Sequence, residues 1–210
     1  MEVMNLGSLM DLLLVLPAML IGITVHEYSH GRMADSLGDP TARNSGRLSL
    51  NPIVHLDFLG SLMIIIAHFG WAKPVPVNPR YFKDPKRDML LVGVAGPAAN
   101  FATAFLFAMP LRVGLFSGSS PLLTGIFFYI VIINVALGVF NLIPIPPLDG
   151  SHIIKAFLPP SAMAAFRWFE QYGIIVLFIF LFMFRGPFSL IISPILDLIM
   201  SLLLPGSRWM

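Results

Sequence analysis

The chain has 210 residues, of which 57% are hydrophobic and only 11% charged, against roughly 25% charged in soluble domains. Its formal net charge is only +2 and it has no cysteine, so composition gives no argument for nucleic-acid binding and excludes both a disulfide framework and a thiolate metal site. A mean hydropathy of +0.84 leaves a membrane protein in which most residues are needed for spans.

The first apolar run, roughly 8–25, leads directly into His26-Glu27-Tyr28-Ser29-His30. Three ionisable side chains at the end of a membrane-length helix are costly to place there. The HExxH spacing puts two imidazoles on one helix face with a carboxylate beside them, the donor set of a zinc site with its own general base. The plainer reading is a chance match on a surface helix, and the membrane setting argues against it. No basic stretch precedes the first run, so no signal peptide is expected.

Segment 56–69 is too short to cross a bilayer comfortably. It is flanked by Arg32, Arg43 and Arg47 before and by Lys73, Arg80, Lys83, Lys86 and Arg87 after. Positive charge on both sides predicts a segment that dips in and returns. Residues 70–79 (GWAKPVPVNP) carry three prolines and read as extended chain or an edge strand. His55 and His68 read as structural, His55 as a neighbour of a polar cavity with Asp57.

The run 89–111 contains Gly93, Gly96 and the sequence GPAAN. Small residues here predict close helix packing, and Asn100 reads as a bond to a neighbouring helix, as does Asn134 in the next run. That run, 121–143, ends in Asn141-Leu-Ile-Pro144-Ile-Pro146-Pro147-Leu148-Asp149-Gly150. The prolines stop the helix after Asn141 and allow a non-helical segment to lay Asp149 against the first helix. Residues 150–170 read as a short loop. Segment 171–184 is short for a span unless Trp168 and Phe169 extend it; 188–204 is near the lower limit, with Arg185-Gly186-Pro187 as a break between the two.

If the first helix enters with its N-terminus outside and 56–69 does not cross, the cytoplasmic side carries eleven of the thirteen Lys and Arg, with only Arg112 and Arg185 outside. The expectation is an all-α, multi-pass protein of the cell membrane with about five to six transmembrane helices, N-terminus outside and C-terminus cytoplasmic. It forms a single domain over 1–210, with a core at 8–150 and C-terminal helices at 171–204. Asp149 then shares depth and side with the two histidines and is the candidate third ligand of a catalytic zinc, which keeps its fourth position open. Its alternatives are a turn-forming Asp before Gly150 and, as rival ligand, His152.

At this point the chain resembles the site-2 protease family of intramembrane zinc metalloproteases. HEYSH and NLIPIPPLDG carry the resemblance in combination. GRMADSLGDPTARNSGRLSLNPIVHLDFLGS, GWAKPVPVNP and GPAAN extend it over roughly residues 20–155, in the manner of compact prokaryotic members. The resemblance implies that His26, His30 and Asp149 bind one Zn2+ and that Glu27 is the catalytic acid/base. It implies that Asn141 helps hold the substrate or its oxyanion, and that the substrates are single-span membrane proteins. No PDZ or CBS domain is expected. Val75 and Val77 are candidate substrate contacts, through strand addition to residues 70–79. Two other classes use the same residues, a divalent-metal transporter and an inactive membrane scaffold; a transporter has no need of the Glu27 base.

Overall fold

The computed structural model describes residues 9–67, 70–116, 121–183 and 185–205. Within them α-helices follow one another as α1 (Leu9–Ser36), α2 (Thr41–Asn44), α3 (Phe58–Ala67), α4 (Pro85–Arg112), α5 (Pro121–Asn141), α6 (Gly150–Phe157), α7 (Met163–Met183) and α8 (Arg185–Leu203). Among the described residues there is no strand, only one antiparallel bridge between Leu56 and Ala72. The all-α expectation therefore holds. By length and composition, four helical stretches suffice to cross a membrane: Leu13–Ser36, Pro85–Arg112, Pro121–Asn141 and Pro160–Leu181.

Local chemistry sets the helix ends. Asp84 caps α4, its side chain accepting the N–H groups of Lys86 and Arg87, with Pro85 in the first turn where a missing N–H costs nothing. α5 stops at Asn141, as the prolines that follow require. Beyond α1 the chain turns at Gly38, whose φ of +104° lies in the left-handed region.

The centre of the molecule is α1, α4 and α5, packed on one another through small residues. A Cβ on Gly22 of α1 would lie 2.7 Å from Leu137 of α5, and one on Gly138 of α5 would lie 2.9 Å from the Phe101 ring of α4. Leu14 packs on Gly125 and Gly22 on Asn134, so α1 and α5 run in the same direction. Val92 of α4 meets His30 while Asn100 meets Gly22, so α4 runs the other way.

Segment 56–69 forms the ten-residue helix α3, about 15 Å long and too short to cross, in keeping with a dip. His68 lies outside the described residues. The C-terminal part differs from expectation in four ways. Residues 150–157 are helix α6, not loop. The helix over 171–184 begins at Met163, so it has span length, whereas the apolar stretch of the last helix is only Leu190–Leu203. Arg185-Gly186-Pro187 forms the first turn of α8 instead of a break. The fourth difference is the direction of α8. Ile191, Ile192, Ile195 and Ile199 line a cavity of about 490 Å³ with Leu142, Ile143, Pro144 and Ile145 at the end of α5, and with Phe180 of α7. Further along, Met200 and Leu204 pack with Ala104, Ala108 and Val131, and Arg112 at the end of α4 donates to the Leu202 carbonyl at 3.1 Å. α8 thus runs antiparallel to α5 and ends at the same end of the bundle as the start of α1. The expected course took α7 across to an outer turn at Arg185. Instead Glu170 pairs with Lys155 of α6, Gly173 abuts Pro146, and Phe180 shares the cavity with Ile191. α7 stays near the end of α5.

Candidate metal centre

The α1 helix carries His26 and His30 one turn apart, and both are buried. Their rings meet edge to face with Nε2 atoms 3.0 Å apart. Asp149 arrives from the loop after α5, its Oδ2 lying 3.1 Å from His26 Nε2 and 3.3 Å from His30 Nε2. The loop is a series of tight turns: Ile145 N–H to Ile143 O at 2.8 Å, Leu148 N–H to Ile145 O at 2.9 Å, Ser151 N–H to Leu148 O at 3.0 Å. It closes on itself at Gly150, where a Cβ would lie 2.5 Å from the Ile143 carbonyl oxygen. Asp149 precedes α6 but makes no capping bond with its side chain, which is free to face the imidazoles.

The tautomers follow from the surrounding bonds. His30 Nδ1 lies 2.7 Å from the Val92 carbonyl, so it must carry the proton. His26 Nδ1 lies 2.6 Å from Asn100 Oδ1. The Asn100 amide nitrogen donates to Gly22 O at 3.0 Å and Asn134 Oδ1 at 2.9 Å, which leaves its oxygen as acceptor and His26 Nδ1 as donor. Both Nε2 atoms of the neutral rings then present lone pairs toward Asp149 Oδ2, a buried oxygen with no hydrogen-bond donor. With both rings neutral, three acceptors converge on one point, and a bound cation satisfies all three. Three ligands at about 2.0–2.1 Å from a tetrahedral ion are separated by about 3.3 Å, close to the observed spacing. The group fits one zinc ion. Among the described residues it is His26, His30 and Asp149 that form such a group; His152 is not in it. Burial holds the His152 imidazole below its ordinary pKa.

Other site residues expected from sequence fall as follows. Glu27 Oε2 accepts the Val75 N–H at 2.9 Å. Val75 is buried, and Val77 packs beside Ala34, Phe82 and Val92. Residues 73–78 lie outside helix and strand. Asn141 Nδ2 donates to Leu137 O within its own helix at 3.0 Å. His55 is fully buried and bonded to Ser49 O at 2.7 Å, while Asp57 caps the Gly60 N–H at 2.8 Å. Two contributors were not legible. Asn100 does bond across helices, but one of its partners is a ligand ring. Gly96 is the wall behind the imidazoles: a Cβ there would lie 2.7 Å from Cε1 of either ring. Their spacing was the available signal, since residues 96 and 100 share one face of α4.

The profile of Peptidase family M50 matches residues 114–184, which include Asp149 but not α1. The chain is 40% identical over 197 residues to "Putative zinc metalloprotease YwhC" of Bacillus subtilis (strain 168), covering 90% of this chain and 88% of that protein. It is 30% identical over 175 residues to "Putative zinc metalloprotease Rip2" of Mycolicibacterium smegmatis, covering 80% of this chain and 66% of the relative. "Zinc metalloprotease MJ0392" of Methanocaldococcus jannaschii is 34% identical over 77 residues, which cover 36% of this chain and 22% of that protein. No solved structure matches the chain.

Proposed function

The chain belongs to peptidase family M50, a membrane metalloprotease family, and on that premise we propose that it is a site-2-type endopeptidase acting in regulated intramembrane proteolysis. It hydrolyses peptide bonds of single-span membrane proteins near the cytoplasmic side. The observation that carries this reading is the convergence of His26 Nε2, His30 Nε2 and Asp149 Oδ2 within about hydrogen-bonding distance, with both Nδ1 atoms engaged elsewhere by Asn100 and Val92.

A zinc ion held by these three residues would supply Lewis acidity and would make water a competent nucleophile near neutral pH. Glu27, next to a ligand in sequence, accepts the proton from the attacking water and returns it to the leaving amine. Asn141, at the end of α5, serves the substrate by releasing its bond to Leu137 O and donating to the carbonyl oxygen that gains charge. Asn100 and Val92 hold the imidazoles in the metal-binding tautomer.

Charge supports placing the site near the cytoplasm. With α8 antiparallel to α5, Arg185 joins the site's side, and of the twelve Lys and Arg within the described residues only Arg112 falls on the other side of the membrane. The start of α1 is then outside, and the end of α8 lies on that side too.

Co-expression with candidate single-span proteins tests the reading. Wild type removes the full-length substrate, and Glu27→Gln leaves it intact while keeping zinc. Cleavage that survives Glu27→Gln rejects the protease assignment.

A further inference from the structure

The Val75 N–H that reaches Glu27 Oε2 belongs to a segment fixed at several points. Lys73 N–H donates to His55 O at 2.9 Å, and Arg47 Nη2 donates to Lys73 O at 2.6 Å. Asn78 N–H donates to Oδ2 of the fully buried Asp39 at 2.6 Å, and the other oxygen of Asp39 accepts the Thr41 N–H at 3.0 Å. The Val75 side chain sits against Gly31, one turn after Glu27 on α1. A Cβ on Gly31 would lie 3.1 Å from Val75 Cγ1, 3.3 Å from Ala42 Cβ and 3.4 Å from Leu48 Cδ1. Pro74 and Pro76 have no N–H, so Val75 presents the lone backbone donor of that stretch, and it faces the carboxylate.

A carboxylate on a two-carbon stem beside a cation has two competing positions. It can turn in as a further ligand, or stand off as a base. A fixed N–H on one oxygen selects the second and leaves the other oxygen for a proton. We propose that the Val75 backbone N–H, presented by the anchored segment 73–78, is the positioning group for Glu27. The inference rests on the reading of Glu27 as general base. It gives Val75 a different role from a substrate-pairing edge, because the donor that a paired substrate would meet is engaged inside the protein.

The test uses the full-length protein, purified with its zinc and assayed on a single-span substrate. Val75→Pro removes the N–H, and kcat falls about ten- to a hundred-fold, the size of a misplaced catalytic group. KM and zinc content stay as in wild type, and Val75→Ala, which keeps the N–H, restores most of kcat. Asp39→Ala loosens the same segment from a distance and gives the same kcat-only signature, which covers the case of a poorly folding proline variant. Wild-type kcat in Val75→Pro, a loss confined to KM, or loss of zinc in both variants overturns the proposal. Glu27→Gln separates the two levels: if it is inactive while Val75→Pro is unchanged, only this inference fails, and if it is active the protease reading fails first.

Discussion

Each imidazole of the centre reaches inward with one nitrogen and is held from outside by the other. For His26 the outer partner is Asn100, itself oriented by Asn134, whose amide donates to Ile130 O at 2.8 Å. Both asparagines are fully buried, and an amide so placed in an apolar span is expensive unless fully bonded. Asn100→Leu frees the His26 ring to rotate and change tautomer. Zinc affinity then falls about 10–100-fold, read by competition with a chelator on purified protein; unchanged affinity would mean that packing alone orients the ring. Gly96→Ala drives a methyl group into both rings and abolishes zinc retention. HExxH was legible because its four-residue spacing is local. The role of Asn100 was not, because its partner lies across a helix interface that no single-chain pattern reports.

At the scale of elements, the decisive feature is the run of turns from Leu142 to Leu148, which carries Asp149 back to α1. That much followed from the prolines after Asn141. The course of α7 and α8 did not, because hydropathy gives the length of an apolar segment and not its direction. α7 has the length to cross, yet its contacts with Lys155 and Pro146 keep it near the end of α5. The arrangement has a direct check, since the chain has no cysteine of its own. Cysteines placed at Ile143 and Ile191, which line one cavity, crosslink with a short bifunctional maleimide. So do cysteines at Arg112 and Leu202, whereas the exchanged pairs do not. Crosslinking of the exchanged pairs would reverse α8.

For the whole molecule, antiparallel α5 and α8 bring the start of α1 and the end of α8 to one end of the bundle. Cysteines placed at Leu13 and Leu203, near the start of α1 and the end of α8, therefore respond alike to an impermeant maleimide added outside sealed cells, and opposite responses would require another crossing. The core triad of α1, α4 and α5 was foreseeable from small residues recurring along apolar runs; the course of α7 and α8 was not, for the reason given above. The separation of the ligands along the chain has a consequence for biosynthesis. Two of them lie on α1, and the third follows α5. Until that later stretch has been threaded and turned back, the nascent polypeptide has only a histidine pair, too few donors to retain the ion. Newly made copies thus have no complete set of metal ligands until α5 and the turns after it are in place.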